Sequence, residues 1–217
     1  MKITLKILLL ILTFSVQGQI SESWNLDIDS YTQNTTIYSY KFPPIETAEF
    51  SNGDLVVLSQ NGSLARFKNS GTIIWKKEIE TCAQQRVIID SNDDIIFSCG
   101  TEITKIDSNG EIIWNKDYSN TFSKKYLTLD AITSANDKLY VTGHFYHSKH
   151  LCQLSIDKNG NVIWKTKFKQ NVYNEFSFLP PKQIVVSNNN IFVLAYHYTK
   201  PNSFLYSSNL KGKKRIE

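Results

Sequence analysis

The sequence has no basic field, no apolar run long enough to cross a bilayer, too few cysteines for a disulfide framework and no constellation of catalytic residues, and each absence removes a class of protein. The formal net charge of +4 is halved once Lys2 and Lys6 at the N-terminus are set aside. Four further basic residues, Lys211, Lys213, Lys214 and Arg215, crowd the other end. The body therefore lacks the positive face that nucleic-acid binders use, and no nucleic-acid partner is expected. The apolar stretch Ile7 to Phe14 falls well short of the roughly 20 residues that span a membrane. Read with Lys2 and Lys6 before it and the small residues Val16 and Gly18 after it, it makes residues 1–18 a secretory signal peptide. The mature chain then begins near Gln19 and carries no membrane span, which places it outside the cell or in the periplasm and envelope. No cysteine stands at the cleavage site, so a lipoprotein anchor has no support. Three cysteines in an exported chain leave at least one unpaired. Cys82 and Cys99 flank a predicted hairpin, but a register centred near Asn92 and Asp93 sets Arg86 opposite Cys99, so buried free thiols are expected.

What the sequence does have is a hairpin written several times over. It reads Arg66-Phe67-Lys68-Asn69-Ser70-Gly71-Thr72-Ile73-Ile74-Trp75, then Lys105 to Trp114, then Ser155 to Trp164, with a worn copy from Asn209 to Ile216. An Asx side chain hydrogen-bonds its own backbone and a following Gly accepts positive φ, so Asp/Asn-x-x-Gly reads as a tight turn. A calcium loop at Asp107 to Gly110 would need further acidic ligands that are missing. A second marker keeps the same phase: polar turns at Ser51 to Asp54, Ser91 to Asp94, Ala135 to Lys138 and Ser187 to Asn190 each precede a β-branched or aromatic run. Those runs are unbroken rather than alternating, as in strands covered on both faces.

Both markers recur at roughly forty to fifty residues with four strands per unit, the period of a β-propeller blade. The fold expected is all-β, with about four blades of four antiparallel strands over residues 45–80, 81–120, 121–170 and 171–217, after an N-terminal outer strand and linker at 19–44. Most rings have more blades than four, and Lys213 to Glu217 already begins an outer strand, so part of a larger ring is expected. A small ring closed by the early strand at Trp24 is the alternative. Trp24, Trp75, Trp114 and Trp164 are expected to lock adjacent blades, each burying its ring while the indole N–H meets a backbone carbonyl. On that reading Trp114→Ala costs roughly 3–5 kcal/mol.

The turns and tryptophans resemble the PQQ-like β-propeller repeat family, whose blades end in Asp-x-x-Gly-x-x-x-Trp. The matching residues are Asp107, Gly110 and Trp114, then Asp157, Gly160 and Trp164; the pattern loses its Asp at Lys68 and its Trp at Ile216. The resemblance implies a blade and not a chemistry. Quinoprotein dehydrogenases of the family use an adjacent-cysteine disulfide, a catalytic Asp loop and eight blades, none of which is found here, so the non-catalytic branch is expected and no cofactor is assigned.

Function is then sought in loops that do not repeat. All four histidines lie in two of them, Gly143 to His150 and Tyr196 to Phe204. His144, His147, His150 and His197 are candidate zinc or copper ligands, although residues three apart on a strand face opposite ways. Tyr146, Tyr173, Tyr196 and Tyr198 are candidates for stacking on a sugar or gripping a peptide. The expected function is a non-catalytic scaffold binding a protein or glycan, with a fragment of a quinoprotein-like or metal-dependent enzyme as the alternative.

Overall fold

The computed structural model describes residues 45–59, 62–79, 85–122, 127–145, 150–169, 181–196 and 203–213. They form four antiparallel sheets, each built from strands that follow one another in the chain. The first holds β1 (Ile45–Glu49), β2 (Leu55–Ser59), β3 (Ser63–Phe67) and β4 (Ile73–Glu78), and the second holds β5 (Gln85–Ile89), β6 (Ile95–Cys99), β7 (Glu102–Ile106) and β8 (Ile112–Asp117). The third holds β9 (Leu127–Ala135), β10 (Lys138–Phe145), β11 (His150–Ile156) and β12 (Val162–Lys169), and the fourth β13 (Pro181–Ser187), β14 (Asn190–Tyr196) and β15 (Ser203–Asn209). The fourth sheet has three strands among the described residues. A single turn of 3-10 helix, Ser119–Thr121, is the one helical element described. No helix among the described residues is long and apolar enough to cross a membrane.

The first strands of the sheets meet in succession, β1 against β5, β5 against β9 and β9 against β13. They surround a common centre, with β4, β8 and β12 outermost. The unbroken apolar runs occupy the second strands: β2 is buried from Val56 to Ser59, and β10 from Leu139 to Phe145. Burial on both faces follows because the core is a series of seams between sheets. Val56, Leu58 and Leu64 pack against Ile95, Phe97 and Ile106. Ile96 and Ile103 pack against Leu129, Val141 and Leu154, and Ala131 and Tyr140 against Ile184, Ile191 and Val193. Each such side chain, fully buried, contributes about 1.5–3 kcal/mol, so adjoining sheets depend on one another for their stability.

Two expectations are corrected. Across the β5–β6 hairpin the register pairs Arg86 with Ser98 and Gln85 with Cys99, one residue away from the pairing read off the sequence. The turn has three residues rather than two, closed by Asp93 N–H to Asp90 O at 3.1 Å, and Asp93 takes the left-handed conformation at φ 59°. A three-residue turn of this kind centres the hairpin on Asn92. Cys99 is disulfide-bonded, so buried free thiols are not the rule here; Cys152 is free and buried, and Cys82 lies outside the described residues.

Candidate functional site

Strand alternation sends the connections to two faces. On one face stand the turns 50–54, 68–72, 90–94, 107–111, 136–137, 157–161, 188–189 and 209–213, all short and internally hydrogen-bonded or of the two-residue kind. Asp107 shows why the motif turns tightly: its carboxylate accepts the backbone N–H groups of Asn109 at 2.9 Å and Glu111 at 2.8 Å. Asp157 does the same with Asn159 and Asn161, and Asn209 with Lys211 and Lys213. The N–H groups of Glu111 and Asn161, respectively, are the main cause that holds the Asp107 and Asp157 carboxyls below their ordinary range.

Each of the three described outer strands then carries a bulge. Lys105 pairs with Trp114 but Ile106 with Ile112, leaving Ile113 as the extra residue, and Ile74 and Ile163 hold the same place in β4 and β12. The bulge re-aims the following tryptophan toward the next sheet. Trp75 Nε1–H donates to Ser108 O at 3.0 Å, Trp114 to Lys158 O at 2.9 Å and Trp164 to Leu210 O at 2.7 Å, always the second residue of the neighbour's turn. All three indoles are half-buried. The turn glycine is required twice over: it takes positive φ, and a Cβ on Gly212 would lie 2.7 Å from the Trp164 ring. Trp24 lies outside the described residues.

The opposite face carries connections of unequal length, from 100–101 between β6 and β7 to 170–180 between β12 and β13. This is where the candidate ligands belong. His144 is in β10 and His150 opens β11, so both stand in strands rather than in the loop expected over 143–150, which shortens to 146–149. His144 pairs with Leu151, which projects His144 and His150 from opposite faces of the sheet. His144 is 1% exposed, and its Nδ1 lies 2.6 Å from Asp130 Oδ2. His147 and His197 lie outside the described residues, as do Tyr146, Tyr173 and Tyr198; Tyr196 ends β14, with its side chain outside the description.

Asp130 was not legible as a partner for His144. Between Thr142 and Gly143 the β9–β10 register shifts, so Thr142 faces Ala131 while Gly143 faces Leu129, and Asp130 is the extra residue. Gly143 makes this possible, because a Cβ there would lie 2.0 Å from Thr128 O. Nearby, Phe122 and Phe145 meet edge to face at 5.4 Å, with the Lys167 ammonium 5.1 Å and 5.2 Å from their centres. Burial, then the Asp130 charge, pushes the Cys152 thiol up, which favours its protonated form. The cluster is a buried polar and aromatic layer at the loop-side end of the third sheet.

At the centre, an axial cavity of about 280 Å³ is lined from all four sheets, by Glu46, Arg86, Ile132, Gln183 and Val185 among others. Arg86 donates to Glu46 Oε1 across the first two sheets at 2.8 Å. Sheets arranged round such an axis, inner strand to inner strand, decide the architecture. The chain is folded as a β-propeller. Solved structures agree: it is similar to BamB from Moraxella catarrhalis (TM-score 0.53, 13% identity, 80% of this chain and 51% of that one). It is similar also to Kuenenia stuttgartiensis hydrazine synthase (0.60, 13%, 78% and 52%) and to a Bacteroides caccae protein of unknown function (0.51, 16%, 80% and 57%). This propeller spans about half the length of those structures. No family model matches, and no curated protein matches.

Proposed function

We propose that this propeller is an exported, non-catalytic scaffold that binds a protein or glycan partner through its face of unequal connections, with Tyr146, Tyr173, Tyr196 and Tyr198 as aromatic contacts. One observation carries the reading: variation in connection length is concentrated on one face, while the other repeats the same few turns and is clamped by tryptophans. Variable loops on a rigid frame are the usual form of a recognition surface. Tyrosine suits such a surface because it offers a large amphipathic ring with few rotors to order.

The immobilised full chain and its Tyr146→Ser/Tyr198→Ser variant, probed with a glycan array and with cell-envelope extract, test the reading. The same ligand captured by the parent and lost by the folded variant supports it, and equal capture by both removes it. Export is tested separately by fusing residues 1–18 to a reporter that is active only outside the cytoplasm.

A further inference from the structure

The three junctions between sheets are built from equivalent positions filled differently. In the register of second and third strands, Val56 faces Arg66, Ile96 faces Lys105 and Tyr140 faces Ser155. At the first junction Arg66 crosses the gap: its guanidinium lies 4.1 Å from the centre of the Phe50 ring, one nitrogen donates to Asp54 at 2.7 Å and the other reaches Ser108 O in the next sheet at 2.8 Å. Ser51 adds a bond from its N–H to Asp93 Oδ1 at 2.9 Å. At the third junction Tyr140 occupies the space and lies 6.4 Å from Trp164, ring centre to ring centre.

The second junction has neither filler. Lys105 replaces arginine, Asp90 replaces Phe50 and Ile96 stands where Tyr140 does. Lys105 is pulled back into its own sheet, with Nζ 2.7 Å from Asp90 Oδ2 and 2.9 Å from Asp94 Oδ2. The hydroxyl bond that Ser51 Oγ donates to Asp93 Oδ2 at 2.5 Å is stretched here to 3.4 Å, from Ser91 Oγ to Asp137 Oδ1. What remains is a cavity of about 280 Å³.

Its walls define the ligand. Trp114, Ile96 and Leu139 supply an apolar side; Ser91, Asn92, Ser134 and Asp137 offer donors and acceptors from the opposite rims, and Lys105, Lys138 and Lys158 offset the carboxylates. Lys105, 5% exposed, has an ammonium with three protons and two carboxylate partners, which leaves one donor beside the cavity. The near balance of charge disfavours a polyanion. An indole beside alternating donors and acceptors matches a pyranose ring, whose C–H face is apolar and whose hydroxyls each donate and accept. We infer that the junction of the second and third blades is a binding pocket for one neutral sugar residue, on the face opposite the loops.

The test is titration of the full chain with methyl glucoside, methyl galactoside, methyl mannoside and N-acetylglucosamine to tens of millimolar, followed through the Trp114 indole N–H resonance. A saturable shift of that resonance with at least one sugar is expected. Two variants close the pocket by copying its neighbours: Asp90→Phe/Lys105→Arg reproduces the first junction, and Ile96→Tyr the third. Each, where its melting confirms folding, should weaken binding at least about tenfold, or about 1.4 kcal/mol. No saturable shift with any of the four sugars overturns the proposal. So does a shift that spares Trp114, affinity unchanged in a folded closed variant, or tighter binding of glucuronate or phosphate than of the neutral sugars. Because these readouts lie on the turn face, their failure leaves loop-face capture untouched, and the reverse holds.

Discussion

Replacing Gly143 by alanine isolates the bulge that sets the floor of the loop face. The added Cβ would lie 2.0 Å from Thr128 O, 3.0 Å from Thr128 C and 3.1 Å from Leu129 Cα. All three are backbone atoms of β9, so no side chain can swing aside. Relief requires β9 and β10 to part by about an ångström where Gly143 faces Leu129. Overpacking of this kind costs about 1–3 kcal/mol and occasionally more, and two weakened ladder hydrogen bonds add about 1 kcal/mol each. A loss of roughly 3–5 kcal/mol is expected, against a typical domain stability of about 5–15 kcal/mol. Gly100→Ala is the control: its φ is +61° and nothing lies within 4 Å of the new Cβ, so only the left-handed conformation counts, at about 1–2 kcal/mol. Urea unfolding of both variants, compared by midpoint at equal slope, decides. A Gly143→Ala midpoint no lower than that of Gly100→Ala would refute the steric reasoning.

Trp114→Phe keeps most of the ring and loses the bond to Lys158 O, at about 0.5–1.5 kcal/mol by thermal melting; Trp114→Ala should cost more, though the half-buried ring sets it nearer the low end of the roughly 3–5 kcal/mol for a core aromatic. The fold favours the ionised forms of Asp107 and Asp157, whose pKa is lowered from 3.8. Their contribution is fully present above that value and is lost as pH falls through the lower folded pKa. Asp107→Asn/Asp157→Asn should therefore flatten the acid limb of a stability-against-pH curve below about pH 4 while leaving stability at pH 7 little changed, since Asn209 makes the same two bonds; an unchanged acid limb would count against the turn account. His144→Leu leaves the Asp130 carboxylate buried without its imidazole, and a loss of about 3–5 kcal/mol in urea melts is expected.

The architecture was legible because it repeats. A turn glycine, an Asx acceptor and an outer-strand tryptophan occur together in the second and third blades, with one part missing in the first and in the fourth, and the unbroken runs of β2, β6 and β10 betray strands buried on two sides. What could not be read lay in departures from the repeat. Asp130 and Thr128 both interrupt the apolar residues of β9, and only the register shift beside Gly143 shows that Asp130 meets His144. The register at Cys99 depended on whether Asp93 would accept a left-handed conformation, which its type permits but does not announce. Lys105, Asp90 and Ile96 look like ordinary variation until they are aligned with Arg66, Phe50 and Tyr140 in space.

The three described indole bonds run the same way round the axis: the first, second and third blades each hold the turn of the one that follows, and none of these three tryptophans holds the turn at 68–72. Fastening of this kind has polarity, as shingles do. Peeling from the fourth blade must first draw Gly212 out from beneath the Trp164 ring, whereas no described tryptophan has to be withdrawn from the turn of the first. Amide exchange should register the difference, with slower exchange at 107–111, 157–161 and 209–213 than at 68–72, so that the order of local opening follows the direction of the clamps.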